Sequence, residues 1–184
     1  TLKIKSFTFD KPLDNLPISL EVLDLDCDYF DQSLDNLPPI LQSLTLHSGT
    51  FNQSLNKLPN TLSELHMKDC HTYDMPLENL PINLKSLSLT HCYEFNRPLD
   101  KLPSNMNSIL LNDCSKFNQS LCNLPTSLNN IYISWCAQFN QHVDQLPKET
   151  KLHISKCRLF DKTNILPPNT TILTGHINKN ANDL

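Results

Sequence analysis

The sequence predicts a β-solenoid, in which each repeat of the chain, here termed a rung, adds one strand to a parallel sheet. An aromatic residue followed by Asp or Asn recurs eight times at steps of 21 or 22 residues, from Phe9-Asp10 to Phe160-Asp161. A Leu-Pro pair follows each aromatic residue, from Leu16-Pro17 to Leu166-Pro167. A period of about 20 to 29 residues is typical of solenoids whose rungs each contain one strand and one return segment.

The strand of each rung lies between the Leu-Pro pair and the next aromatic residue. Residues 84–92 match L-x-x-L-x-L-x-x-C, which is the leucine-rich-repeat (LRR) pattern, and residues 62–70 match it with Met67 at the third apolar position. The last two apolar positions alternate with period two, so their side chains point to one face and the residue between them points to the other. This alternating pair predicts about nine strands in one parallel sheet, at Leu2/Ile4, Leu23/Leu25, Leu44/Leu46, Leu65/Met67, Leu87/Leu89, Ile109/Leu111, Ile131/Ile133, Leu152/Ile154 and Ile172/Thr174.

The return segment is predicted to be extended or 3₁₀ on the convex side, because about 21 residues per rung leave too little room for a full α-helix. The Pro of each Leu-Pro pair fixes φ and removes an N–H group just before the next strand. The Asp or Asn after each aromatic residue is expected to form an Asx-turn with the backbone two residues on. Corners of this kind explain why the chain has 13 Pro and only 2 Gly.

Six of the seven cysteines occupy one position of the repeat, three residues before the aromatic residue, and Ser6 and Ser48 fill that position in two other rungs. A position that alternates between Cys and Ser indicates a small buried site. Neighbouring rungs about 4.8 Å apart lie slightly beyond the usual Cβ–Cβ distance of a disulfide. We therefore predict a ladder of free, buried thiols at Cys27, Cys70, Cys92, Cys114, Cys136 and Cys157.

These elements together resemble the FNIP repeat, a short LRR variant of slime-mould and giant-virus proteins in which the repeats often follow an F-box. The segments Phe51-Asn52-Gln53-Ser54-Leu55 and Phe117-Asn118-Gln119-Ser120-Leu121 carry the resemblance, which covers about residues 7–175. It implies a slime-mould or giant-virus source and a setting as an intracellular adaptor or a virus–host protein. We expect a single solenoid over residues 1–176 and a polar tail over residues 177–184.

Several functional classes are not expected. The net charge of -4 gives no electrostatic basis for binding nucleic acid, and the apolar stretches are far shorter than the roughly 18 residues of a membrane span. The chain has no Gly-rich phosphate loop and no G-x-S-x-G motif, and in Cys70-His71 and His91-Cys92 the adjacent side chains point apart. A C-x₂-C pair is also absent, so neither an enzyme nor a metal or cofactor site is predicted. Unpaired cysteines without a signal peptide favour an intracellular location.

The concave side of the sheet is the predicted binding surface for a protein partner, because LRR solenoids bind through the residues that alternate with their buried strand positions. Exposed aromatic residues are enriched among interface anchors. The competing interpretation is that Leu110 and Tyr132 only shield the sheet and that Trp135 packs at the end of its strand. The candidate partner-binding residues are Leu110, Tyr132, Trp135, His153, His66 and Asp24.

An alternative function is self-assembly through the first strand. The segment Leu2-Lys3-Ile4 has no preceding rung in this sequence, so its outer edge is open to pairing with another chain. The sequence thus favours a non-catalytic interaction scaffold and leaves a structural protein that forms homo-oligomers through this edge as the second possibility.

Overall fold

The computed structural model describes residues 1–147 and 149–160 and the backbone of residues 170–172. These residues contain no helix, and therefore none long and apolar enough to cross a membrane. The predicted Leu166-Pro167 corner, Asp161 and the tail 177–184 lie outside them. The strands of the described residues are β1 (Leu2–Lys5), β2 (Val22–Asp26), β3 (Ser43–His47), β4 (Glu64–Lys68), β5 (Ser86–Thr90), β6 (Ser108–Asn112), β7 (Asn130–Ser134), β8 (Lys151–Ser155) and β9 (Thr170–Ile172).

The nine strands form one parallel sheet in sequence order, which confirms the predicted solenoid. The apolar pairs of successive rungs lie opposite one another, so that Leu23 pairs with Leu44 and Leu44 pairs with Leu65. The prediction for the last strand was wrong by two residues. Leu152 pairs with Thr170, because the last rung takes 18 residues between these positions against 21 between Leu23 and Leu44. Thr170 and Ile172, and not Ile172 and Thr174, therefore occupy the positions of the alternating pair.

The core lies between the sheet and the return segments, and a column of stacked aromatic rings runs through it. Successive ring centroids are 5.8 to 6.2 Å apart and the ring planes are within 13° of parallel. Aromatic pairs of this kind contribute about 0.5 to 1.5 kcal/mol beyond the burial of their area. The repeated aromatic residue therefore joins each rung to the next, in the order Phe9, Phe30, Phe51, Tyr73, Phe95, Phe117, Phe139 and Phe160.

The six Asp and Asn side chains that follow an aromatic residue from Asp10 to Asn118 do not form the predicted Asx-turns. The main-chain N–H of Asn52 donates to Oδ1 of Asp31 at 2.9 Å, and that of Asp74 donates to Oδ1 of Asn52 at 3.0 Å. Six such bonds link successive rungs from Asp10 to Asn140, because stacking places the next rung's N–H within reach of each side chain. The bond to the backbone two residues on is made by serine instead, as from Asn56 N–H to Ser54 Oγ.

The return segments are extended and are interrupted by single turns. In each corner from Pro17 to Pro147 a main-chain N–H three residues after the Pro donates to the Pro carbonyl, as from Leu20 to Pro17 and from Leu84 to Pro81. The Pro thus ends the return segment and also accepts the hydrogen bond that turns the chain into the next strand. Within the described rungs the extended alternative of the prediction is the one observed.

The cysteine ladder is present, with all seven thiols free and five of the six ladder cysteines buried as predicted. The prediction was wrong for Cys157, which is partly exposed, as is Cys122 outside the ladder. The ladder thiols donate to strand carbonyls of neighbouring rungs, as from Cys114 Sγ to Leu89 O at 3.5 Å. Burial raises the pKa of the Cys114 thiol, which keeps it protonated. In the third rung Ser48 takes this position, and its buried hydroxyl donates to Phe30 O at 2.7 Å.

Candidate protein-binding face

The side of the sheet that faces away from the core, here termed the open face, is built from the residues that alternate with the buried apolar pairs. Its central column lies between the two members of each pair and stays in register from rung to rung. All of these side chains except the exposed Lys3 are partly buried. The central column contains Lys3, Asp24, Thr45, His66, Ser88, Leu110, Tyr132 and His153.

The structure brings three of the predicted partner-binding residues together. Leu110 pairs with Tyr132 and Tyr132 with His153, so the three lie on adjacent rungs. The rings of Tyr132 and His153 stack with centroids 4.5 Å apart and planes 7° from parallel. The neighbouring rings hold each other in place, so this part of the open face is flat and ordered.

Trp135 lies at the end of β7, beside this group and not within it. Its side chain is 43% exposed, and the Lys156 ammonium lies 5.1 Å from the ring centroid. The interpretation in which Trp135 packs out of solvent at the strand end therefore does not hold. Its ring remains accessible on one side while the Lys156 cation interacts with its π-system.

His153 adds a neutral polar group to this region. Burial lowers the pKa of His153, and the charge of Lys151 lowers it further. Its Nδ1 atom is buried and has no hydrogen-bond partner among the described residues. The Leu110, Tyr132 and His153 group is thus uncharged at neutral pH, and its apolar area surrounds a buried ring nitrogen without a hydrogen-bond partner among the described residues.

The two remaining predicted residues do not join the group. His66 is separated from Leu110 by the rung of Ser88, and burial lowers the pKa of His66. Asp24 lies two rungs before His66 in the central column, and its carboxylate pairs with Lys3 Nζ at 2.6 Å. The structure therefore supports a patch at the Leu110 end of the column and does not extend it to His66 and Asp24.

A row of residues in the left-handed backbone region borders the open face and was not predicted from the sequence. From the fourth to the eighth rung one extra residue lies between the strand and the cysteine position, with φ between 53° and 58°. A non-glycine residue in this region costs about 1 to 2 kcal/mol, and such strain is often found at functional sites. The change in repeat length from 21 to 22 residues was the available signal for this row, which contains Asp69, His91, Asp113, Trp135 and Lys156.

A cluster of histidines and carboxylates, also not predicted, crosses the ends of β2 to β5. His47 lies between two carboxylates, with Nδ1 3.1 Å from Asp26 Oδ1 and Nε2 3.1 Å from Asp69 Oδ2. Asp69 Oδ1 is 2.5 Å from His91 Nδ1. A hydrogen bond from Lys5 lowers the pKa of Asp26 and keeps it ionised. These residues are far apart in sequence, and only the stacking of the rungs brings them together.

The outer edge of β1 is the third feature of the surface. β1 pairs only with β2, and Leu2 and Ile4 are partly buried, whereas Leu23 and Leu25 in the next rung are fully buried. The stacked ring of Phe9 likewise contacts a neighbour on one face. The predicted self-association residues Leu2, Lys3 and Ile4 therefore lie on the open end of the sheet.

No family model and no curated protein sequence matches the chain. A solved structure described as CroV588, a novel circular LRR protein, is similar to it with 31% sequence identity and a TM-score of 0.67. The match covers 85% of this chain and 24% of CroV588, so the chain spans about a quarter of that protein's length. The comparison supports an LRR-type solenoid fold for this chain.

Proposed function

We propose that the protein is a non-catalytic scaffold that binds a protein partner on its open face, at the patch formed by Leu110, Tyr132, His153 and Trp135. The observation that carries the proposal is the stacked pair of Tyr132 and His153 beside the accessible ring of Trp135. Large rings that are already fixed lose little conformational entropy when a partner covers them. LRR-type solenoids commonly act as interaction scaffolds, which supports this assignment.

The charge distribution favours the same end of the open face. Asp24 and Asp26 are neutralised by Lys3 and Lys5 on the neighbouring rung, so a partner at the first rungs would have to compete with existing ion pairs. Among the described residues the Leu110 end has no such ion pairs to break, and neutral apolar area is what the centre of a protein interface usually contains.

The proposal includes the biological setting that the FNIP resemblance implies. The repeats would be of the FNIP type, and the protein would act inside the cell, in the host cytoplasm if its source is viral. Seven free thiols, five of them buried, fit a reducing compartment. Nucleic acid and membranes are not proposed as partners, because the net charge of -4 favours neither.

The test is protein capture from a lysate of the source or host cell. Immobilised wild type is compared with the double variant Tyr132→Ala/Trp135→Ala and with Tyr29→Ala, which removes an exposed aromatic residue far from the patch. Proteins retained by wild type and by Tyr29→Ala but lost from the double variant would support the proposal. Undiminished capture by a folded double variant would refute it.

Self-assembly is the second candidate function, and the unpaired outer edge of β1 favours it. Ser6 N–H donates to Asp26 O, so the backbone groups of the alternate residues Lys3 and Lys5 point away from β2. The main-chain N–H and C=O groups of these two residues could therefore form hydrogen bonds with an additional strand.

Lys3→Pro tests this edge, because it removes an outward N–H without breaking the bonds to β2. Light scattering should show concentration-dependent oligomers for wild type and for the control Lys3→Ala, and monomers for Lys3→Pro. A monomeric wild type at high concentration would exclude self-assembly through β1.

A further inference from the structure

We propose that Asp26, Asp28 and His47 form a binding site for a divalent transition-metal ion at the carboxyl ends of β2 and β3. One carboxylate oxygen from each Asp and one imidazole nitrogen lie within 4.8 Å of one another. One nitrogen and two oxygen donors, completed by water, suit ions such as Mn²⁺, Fe²⁺, Co²⁺ and Zn²⁺. Cysteine spacing in the sequence predicted no metal site, whereas these ligands come from two adjacent rungs and contain no thiol.

The geometry of His47 matches that of a metal-binding histidine. Its Nδ1 is 3.1 Å from Asp26 Oδ1, and two adjacent ligands each about 2.1 Å from one ion are roughly 3 Å apart. Its Nε2 is 3.1 Å from Asp69 Oδ2. A metal-binding histidine usually donates its second N–H to a carboxylate, which fixes the tautomer and the direction of the ring. Asp69 is positioned for that role and is itself held by His91.

Asp28 supplies a carboxylate that is not otherwise engaged. Its side chain makes no hydrogen bond or ion pair within the described part of the chain, whereas its main-chain carbonyl accepts from Gly49 N–H at 2.9 Å and from Ser48 Oγ at 3.2 Å. The backbone of Asp28 is therefore fixed while its carboxylate is free to turn towards an ion. Its like charge beside Asp26 is unfavourable without a cation, which adds to the electrostatic case for one.

A glycine of the next rung, Gly49, lies beside the main chain of Asp28. Gly49 occupies, on the next rung, the loop position that corresponds to Asp28. Its φ is not positive, so the backbone conformation does not require glycine. A Cβ at this position would lie 3.4 Å from Asp28 O and 3.7 Å from His71 Nδ1. A side chain at this position would therefore contact the Asp28 main chain and the His71 ring, and glycine keeps this side of the Asp28 loop uncrowded.

An ion at this site would be held by ligands from both strands. His47 would offer the Nδ1 lone pair to the ion and donate its Nε2–H to Asp69. Asp26 would use Oδ1 for the ion and keep Oδ2 on Lys5 Nζ, at 2.5 Å. The ion would thus join the second and third rungs. The site lies three rungs from Leu110, so it can be tested independently of partner binding.

Titration of the full chain with Co²⁺, followed by calorimetry and visible absorption, tests the site. We expect one Co²⁺ per chain, with a spectrum of nitrogen and oxygen ligands and no thiolate charge-transfer band. His47→Asn and Asp28→Asn should each abolish this binding. Asp69→Asn, which removes only the acceptor for Nε2–H, should weaken it by about 10- to 100-fold. His66→Asn is the matched control, because His66 lies on the next rung outside the site. The Co²⁺ affinity of this variant should equal that of wild type.

Thermal unfolding of each variant without metal shows whether it is folded. Added Co²⁺ should raise the unfolding temperature of wild type and His66→Asn equally, raise that of Asp69→Asn only at higher concentration, and leave His47→Asn and Asp28→Asn unchanged. Absence of Co²⁺ binding by wild type would overturn the proposal. Equal binding by a folded His47→Asn variant would do the same. A thiolate band that disappears in Cys122→Ser would assign the ion to Cys122, which is partly exposed, and would also overturn the proposal.

Discussion

Replacing Tyr73 with phenylalanine should stabilise the solenoid. Tyr73 is fully buried and is the one tyrosine in a column of rings that is otherwise phenylalanine in the described rungs. Its hydroxyl oxygen is buried and has no hydrogen-bond partner among the described residues. Burial raises the pKa of Tyr73, so the hydroxyl stays neutral and contributes only the cost of removing it from water.

The size of the effect follows from two opposing contributions. A buried hydroxyl without a partner destabilises a protein by about 1 to 3 kcal/mol. Removing its oxygen leaves a void of about 15 Å³, which costs about 0.4 kcal/mol at about 24 cal/mol per Å³. The net gain for Tyr73→Phe should be about 1 to 2 kcal/mol. For a chain of this length the unfolding temperature should then rise by about 2 to 8 °C.

Urea unfolding and calorimetry of the purified variant measure this gain. Phe95→Tyr is the matched reverse substitution, because it adds a hydroxyl to the fully buried ring of the next rung and should destabilise the chain by a similar amount. If Tyr73→Phe instead lowered the free energy of unfolding, the Tyr73 hydroxyl would have to be hydrogen-bonded, and its assignment as a destabilising group would be refuted.

Asn96→Ala should destabilise by about 1 to 2 kcal/mol in urea unfolding, because Asn118 N–H loses its acceptor; Asn96→Asp keeps the acceptor and should restore stability. A thiol reagent should modify Cys122 first in the folded protein and Cys157 more slowly, because a hydrogen bond with Cys136 and burial raise the pKa of Cys157; the five buried cysteines should react only after unfolding, and rapid reaction of all seven would contradict the buried ladder. The hydrogen bond from Asp31 N–H lowers the pKa of Asp10, so ionised Asp10 stabilises the folded protein. This stabilisation should be complete above about pH 3.9, the ordinary pKa of Asp, and should be lost as the pH falls below that value. When unfolding temperatures are measured from about pH 6 to pH 2, the fall in unfolding temperature with acid should be smaller for Asp10→Asn than for wild type.

The fold could be predicted because the period, the alternating leucines and the aromatic positions all specify the same rung. Each of these signals is local to one repeat, and together they located β1 to β8 correctly. The last strand was misplaced, since the apolar pattern favoured Thr174 over Thr170 while the shorter last rung set the actual pairing.

Interactions between rungs were harder to predict, because they depend on which atoms of two repeats meet after stacking. The side chain of Asn52 could equally well bond its own backbone, and only the rung spacing shows that the N–H of Asp74 is the better donor. The contact of His47 with Asp69 has the same origin. Of the candidate patch, Leu110 and Tyr132 were correctly placed on adjacent rungs, whereas the left-handed backbone of Trp135 could be recognised only from the added residue in its repeat.

The hydrogen bonds that the Asp and Asn side chains accept from the next rung, together with the stacked aromatic rings, also determine how the length of the protein can change. Both connections are made between equivalent positions of adjacent rungs, so excision of residues 74–95 would join Tyr73 to Asn96 and leave every aromatic residue followed by its Asx. Asn52 would then accept from Asn96 as it now accepts from Asp74. Duplication or loss of a whole 22-residue unit therefore preserves the packing and alters only the distance between the surface features on either side. Such changes offer a simple evolutionary route by which solenoids of this type could be fitted to partners of different size.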